Sequence, residues 1–225
     1  MLGDVFAVKA EAFRHVVEVG RTCWQDAVPL TLGEEFGGYA ALVPRLAAKL
    51  RAVRSGCFEI CMGGSAVGTG LGADPGFMDA LYRHLSDIYG EEVRPTASLF
   101  DGLQNGDFFM TVSRLVKEVA TSSSKIVKDL RLMSRGPRSG FMEIRLPALS
   151  PGSSIMPGKI NPSVPEMVIQ IADYCEEHSV TVKEAVLAMG LLNEADADRL
   201  IDPILMTDPE AMARAIAEFR ARIDG

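Results

Sequence analysis

The segment that decides the fold class is Asp101–Ser134, DGLQNGDFFMTVSRLVKEVATSSSKIVKDLRLMS. Small and apolar residues repeat in it every seven positions along two neighbouring columns: Val112, Val119, Ile126 and Met133, and beside them Phe109, Val116, Ser123 and Leu130. Two adjacent columns of period seven are typical of a long helix in a bundle. A helix of this length would extend roughly 50 Å. The segment therefore predicts an all-α fold built on long bundle helices, and Gly136-Pro137 would end this one.

Apolar spacing of three and four residues predicts further helices on either side of this segment. They are expected at about 4–19, 35–62, 74–89 and 162–177. The stretch between Val19 and Phe36 mixes turn residues and polar side chains without a helical period, and we interpret it as a loop. The glycines of Gly63–Gly72 predict a turn, because nothing before them resembles the strand that a dinucleotide-binding motif requires.

The last part of the chain predicts shorter helices. Thr181-Val182-Lys183-Glu184 is a capping box, Gly190 would stop the helix that follows it, and Asn193 and Asp208-Pro209 would start two more. This change from long to short predicted helices indicates a domain boundary near residue 178. A central helical-bundle domain would then occupy residues 1–178, and a small helical C-terminal domain residues 179–225.

Composition limits the classes of function. The chain has 225 residues, 48% of them hydrophobic, and a net charge of −7, which argues against a nucleic-acid or anionic membrane partner. The four cysteines and three histidines are scattered, so no metal site is indicated. The N-terminal residues do not resemble a signal peptide, no apolar run is long enough to span a membrane, and a cytoplasmic location is the simplest expectation.

A second informative segment is Pro151–Pro162, PGSSIMPGKINP. Its three prolines and two glycines exclude regular structure. Asn161 is a good helix N-cap and Pro162 suits the first helical position, which predicts that a helix starts here. The loop would then bring Lys159 and Asn161 to the positive end of that helix, where an anion binds favourably.

The same segment resembles the signature GSSxMPGKxNP of the aspartase/fumarase superfamily at every fixed position. Further matches are Gly20-Arg21-Thr22 with Gln25–Pro29, Gly63–Gly70, Asp107 and Ser134–Arg138. Gln104-Asn105 and Pro165–Val168 resemble aspartate ammonia-lyases more than fumarate hydratases. The resemblance covers about residues 10–170, and from about His178 the chain is similar to the small C-terminal helical domain of the superfamily.

The resemblance implies a lyase that forms fumarate by removing a proton beside one carboxylate and expelling a group from the next carbon. It implies Ser153 as the base and Lys159 as the cation that stabilises the aci-carboxylate intermediate. Substrate would be bound by Thr22, Cys23, Ser154, Met156 and Asn161. The implied substrate is a small dicarboxylate or amino acid, no cofactor is needed, and the implied assembly is a homotetramer with active sites shared between chains.

Two departures from the superfamily pattern leave alternatives open. The superfamily has histidine where this chain has Cys23, and a neutral thiol carries no positive charge to contact a carboxylate. Members are about twice as long, so the chain resembles a truncated or internally deleted copy. The alternatives to an aspartate ammonia-lyase are a fumarate hydratase, another lyase of the superfamily, or an inactive helical scaffold.

Overall fold

The computed structural model describes residues 2–74, 76–149, 152, 155–156, 158–178, 180–201 and 209–223. The predicted helical fold is confirmed, with two small sheets added to it. The helices are α1 Leu2–Ala12, α2 Leu32–Val53, α3 Phe77–Tyr89, α4 Leu99–Gln104, α5 Asp107–Met133, α6 Ser163–His178, α7 Val182–Ala188, α8 Glu194–Leu200 and α9 Pro209–Ile223. The strands are β1 Val17–Thr22, β2 Gln25–Thr31, β3 Glu59–Ile60 and β4 Arg94–Pro95. Within the described ranges, no helix is long and apolar enough to cross a membrane.

The chain forms two compact units. The first comprises Met1–Tyr39 and Ala120–Gly225, and its core includes an aromatic cluster in which Phe6, Phe36 and Tyr39 make edge-to-face contacts. The second comprises Ala40–Val119, with a core that contains Leu46, Tyr82, Val93 and Leu115. The domain boundary expected near residue 178 stays a prediction.

The loop predicted between Val19 and Phe36 is wrong, because this region is a β-hairpin. Strands β1 and β2 pair antiparallel, with Thr22 opposite Gln25, which leaves Cys23 and Trp24 as a two-residue turn. Both turn residues have positive φ, 50° and 66°, as the turn type that matches strand twist requires. The sequence hid this turn, because Cys-Trp is not among the Asn-Gly or Asp-Gly pairs that normally mark it.

The two helices that flank the hairpin differ from their predicted bounds. The helix predicted over 4–19 ends at Ala12, since Val17 and Val19 belong to β1. Helix α2 begins at Leu32, after a capping box in which Thr31 Oγ1 accepts from the Glu34 amide at 3.2 Å and the Glu34 carboxylate accepts from the Thr31 amide at 2.8 Å. This helix ends at Val53 and gives way to a 3-10 segment at Arg54–Phe58, where Gly56 packs against the Phe108 ring.

The single helix predicted over 101–134 is two helices. Helix α4 ends at Gln104, and α5 starts at Asp107, so Asn105-Gly106 interrupts the helical period. Helix α5 has 27 residues, equivalent to roughly 40 Å. Ile126 and Met133 are buried as the first column predicts, whereas Phe109 in the second column is 74% exposed.

The helix caps predicted at Thr181 and Asn193 in the C-terminal part of the chain are confirmed. Thr181 and Glu184 form the predicted capping box before α7, and the Asn193 side chain accepts from the Asp196 amide at 2.9 Å at the start of α8. Helix α9 begins at Pro209, and Asp208 lies outside the described residues.

A cavity of about 700 Å³ lies in the second unit beside the Gly63–Gly72 turn, lined mostly by apolar side chains and backbone.

Candidate active site

A cavity of about 560 Å³ lies in the first unit at the C-terminal end of α5. Its walls come from the last turn of α5, the segment 134–146 that follows it, and the segment 158–162 that leads into α6. Lys159 and Asn161, predicted from the sequence as site residues, both line it. The cavity therefore brings together two of the groups that the resemblance implied.

The segment after α5 is held by backbone contacts. The amide of Met142 donates to the Arg135 carbonyl at 2.8 Å, and the amide of Glu143 donates to the Met133 carbonyl at 2.9 Å. Gly140 permits this return, because a Cβ at that position would meet the Arg135 carbonyl at 2.5 Å. The segment thus folds back onto the end of α5 and forms one fixed wall of the cavity.

The helix predicted to start at Pro162 starts one residue later, at Ser163. Pro162 occupies the N-cap position, since its carbonyl accepts from the Glu166 amide at 3.0 Å, and the Asn161 carbonyl accepts from the Ser163 amide at 2.9 Å. The prediction that the Asn161 side chain caps the helix is therefore wrong. Because capping does not use it, the half-buried Asn161 amide is available to a ligand in the cavity.

The cavity is strongly cationic. Arg131, Arg135, Arg145 and Lys159 line it, and Glu166 is the one acidic residue among the lining groups. Arg131 pairs with Glu166 at 2.8 Å, which ties the end of α5 to the first turn of α6. Within the described ranges, the side chains of the other three cations have no ion-pair or hydrogen-bond partner. The arrangement therefore suits an anion that carries more than one negative charge.

Lys159 is placed by the loop that precedes it. Gly152 has a φ of 74° and packs directly on the Lys159 carbonyl, so that a Cβ at position 152 would overlap that oxygen. The Lys159 amide donates to the Met156 carbonyl at 3.3 Å. Gly152 and Lys159 therefore touch, and the contact fixes the backbone that carries the lysine.

The other predicted site residues lie elsewhere. Thr22 and Cys23 are at the exposed end of the hairpin, and Met156 is 52% exposed; none of the three is among the residues that line this cavity. Ser153 and Ser154 lie outside the described residues. Sequence reasoning assigned no site role to Arg145, and the only signal for it is a cation between two apolar residues, Ile144 and Leu146.

The hairpin is attached to the cavity wall through Arg21. Its guanidinium makes two hydrogen bonds to the Glu143 carboxylate, one of them at 3.2 Å, and lies 3.8 Å from the centre of the Phe141 ring. The Arg21 and Glu143 side chains are only 18% and 15% exposed. Since Glu143 lies between Met142 and Ile144, which line the cavity, this ion pair connects β1 to the wall.

Replacing Arg21 with alanine leaves Glu143 without its cation and is expected to lower the free energy of unfolding by about 2 kcal/mol. The loss is smaller than the roughly 3–5 kcal/mol of a fully buried pair, because this pair is partly exposed. Urea unfolding would measure the change. The matched control is Arg94→Ala. Arg94 pairs with Glu59, and their side chains are 54% and 41% exposed, so this variant should lose less than about 1 kcal/mol. Equal losses in both variants would contradict a structural role for the Arg21 pair.

Glu18 lies beside this ion pair with both carboxylate oxygens shielded from solvent. Burial, followed by the neighbouring carboxylates of Glu35 and Glu143, raises its pKa to about 7, and Arg21 opposes the rise. A folded-state pKa above the unfolded value of 4.5 means that the folded chain binds this proton more tightly. Its contribution to stability is therefore complete below about pH 4.5 and is lost as the pH rises through about 7.

Glu18→Gln is accordingly expected to flatten the decrease in stability between about pH 5 and about pH 8. The urea midpoint measured at several pH values would show it. Glu11→Gln is the control, because Glu11 is exposed on α1 and pairs only with the exposed Arg14 among the contacts of the described residues. An unchanged slope in Glu18→Gln would show that Glu18 does not hold the proton.

Comparison with known proteins identifies the family of this chain. Residues 1–174 match the model of the lyase family. The chain belongs to this lyase family. It is 44% identical over 180 residues to an aspartate ammonia-lyase from Bacillus sp, which covers 80% of this chain and 38% of that enzyme. It is 42% identical over 171 residues to a mitochondrial fumarate hydratase from Danio rerio, covering 76% of this chain and 34% of the relative.

A solved lyase structure is similar as well. The fumarate lyase:delta crystallin from Brucella melitensis, bound to cobalt, superimposes with a TM-score of 0.74 at 35% sequence identity. The match covers 96% of this chain and 47% of that one. This chain therefore spans less than half the length of the lyases that it matches.

Proposed function

We propose that the chain functions as a carbon–nitrogen lyase that converts L-aspartate to fumarate and ammonia. The observation that carries the proposal is the presence of Lys159 and Asn161 together in a cationic cavity at the start of α6. Preorganised positive charge and amide donors are what a dianionic intermediate requires. The similarity to the Bacillus aspartate ammonia-lyase supports aspartate as the substrate.

In the proposed reaction, a base removes a proton from the carbon beside one carboxylate, and the electron pair moves into that carboxylate to form the aci-carboxylate dianion. The carbon–nitrogen bond then breaks as the double bond of fumarate forms, and ammonia leaves. Lys159 and Asn161 would stabilise the dianion. We assign the base to Ser153, with Ser154 and Met156 as contacts of the substrate, on the resemblance of the loop alone.

We further propose that the active chain is a homotetramer in which each site uses loops of several chains. The hairpin residues Thr22 and Cys23 are not among those that line the cavity of their own chain, so they would serve a neighbouring one. Helix α5 also exposes Phe109, Met110 and Val116, an apolar face that a second copy would cover.

Fumarate hydratase activity is the second candidate, and the similarity to the Danio rerio enzyme favours it. The cavity cations recognise carboxylates, which aspartate and malate share, so they do not distinguish an amino from a hydroxyl leaving group. An inactive scaffold is the third candidate, because Cys23 replaces the histidine expected in the hairpin.

The test is to mix the purified chain with L-aspartate or with L-malate and to follow the absorbance of fumarate. The proposal expects fumarate from aspartate and at least tenfold less from malate. The Cys23→His variant tests whether that position limits the rate. Fumarate from malate alone would establish the hydratase, and no fumarate from either substrate with either chain would overturn the enzymatic proposal. The mass in solution would test the tetramer.

A further inference from the structure

Arg145 stands on the cavity wall formed by the segment after α5. The backbone just before it is fixed, since the amides of Glu143 and Ile144 both donate to the Met133 carbonyl, at 2.9 and 3.4 Å. Its side chain is exposed and lines the same cavity as Lys159. Within the described part of the chain it has no ion-pair or hydrogen-bond partner.

The arginines around the cavity differ in what they contact. The charge of Arg131 is balanced by Glu166 at 2.8 Å, so it contributes little to attracting a ligand. Arg138 lies on the same segment as Arg145 but is not among the lining residues. Arg135, Arg145 and Lys159 are thus like charges in one cavity, and an anion bound among them would relieve their repulsion.

The chemistry of the two kinds of cation, guanidinium and ammonium, also differs. A guanidinium is planar and binds a carboxylate through two parallel hydrogen bonds, whereas an ammonium acts as a compact point charge. The ammonium of Lys159, beside the Asn161 amide, suits the carboxylate on which charge accumulates during the reaction. The guanidinium of Arg145 suits a carboxylate that keeps its charge and geometry throughout.

We propose that Arg145 is a specificity-determining residue that binds the second carboxylate of the substrate and makes the cavity select dicarboxylates over monocarboxylates. The inference rests on the proposed function only in that both concern the same cavity. It extends that function by assigning the second carboxylate to a residue outside the signature loop. An arginine that is merely a solvated surface charge would leave the selectivity unchanged.

Equilibrium binding separates these outcomes without requiring turnover. Calorimetric titration would compare succinate, an unreactive dicarboxylate, with succinamate, in which an amide replaces one carboxylate. We expect the unmodified chain to bind succinate at least about tenfold more tightly than succinamate. Arg145→Gln should reduce that preference to within about threefold, and Arg145→Lys should restore part of it. Arg138→Gln is the matched control and should keep the full preference.

Two results would overturn the inference: a preference for succinate that survives in Arg145→Gln, or an unmodified chain that binds neither compound. The second would mean that the cavity is not a dicarboxylate site. Failure of the proposed function is a different result, because it appears as the absence of fumarate production from aspartate. A chain that makes no fumarate but loses its succinate preference in Arg145→Gln would retain the inference and lose the activity.

Discussion

Lys159→Ala is expected to lower kcat/KM for fumarate formation by roughly 10³-fold, the upper end of what one oxyanion-stabilising group contributes. The lysine is one of three cavity cations without a partner among the described residues, and it is the one beside the Asn161 amide at the start of α6. Its charge is needed most when the intermediate becomes a dianion. The loss should therefore fall mainly on kcat, with a smaller change in KM.

Two further variants make this result specific. Lys159→Arg keeps the charge but changes its shape, so it should recover part of the rate. Arg138→Gln removes a nearby cation from outside the cavity and should change kcat/KM by less than about twofold. A Lys159→Ala chain with unchanged kcat would show that the cavity is not where the intermediate forms. Circular dichroism of each variant would exclude loss of the fold.

The helical fold followed from sequence periodicity, and the errors have local physical causes. The seven-residue columns, which begin at Phe109, located α5, but the helix predicted from Asp101 ran across Asn105-Gly106, where the structure interrupts it. The hairpin was not predicted because its turn places Cys23 and Trp24 at positive φ, a conformation that cysteine and tryptophan rarely adopt. The start of α2 was predictable in retrospect, since Thr31 and Glu34 have the spacing of a capping box.

One part of the candidate site was predictable, because local chain geometry determines it. Lys159 and Asn161 lie in one cavity just before α6, and the sequence of the loop predicted that both would lie at the start of that helix. Arg145 was not predictable, because its position depends on the segment after α5 folding back through backbone bonds to Met133. The Arg21–Glu143 pair joins residues 122 positions apart, a separation at which helical and strand periodicity carry no information.

Gly152→Ala is expected to lower kcat/KM by roughly 10²-fold, the effect of displacing a catalytic group by about 1 Å. A Cβ at this position would overlap the Lys159 carbonyl, which is backbone and cannot rotate away like a flexible side chain. The peptide that carries Lys159 must therefore move. Substrate binding through Arg145 would be retained, so the succinate preference measured by calorimetry should survive while the rate falls.

Gly158→Ala separates displacement of the lysine from backbone strain. Gly158 lies in the same loop with a φ of 81°, close to the 74° of Gly152, but a Cβ there meets nothing within 4 Å. Both substitutions carry the same strain of about 1–2 kcal/mol for a non-glycine residue at positive φ, whereas only Gly152→Ala forces the lysine to move. We expect Gly158→Ala to retain kcat/KM within about fivefold. Equal losses in the two variants would mean that strain in the loop, and not the contact between Gly152 and Lys159, controls the rate.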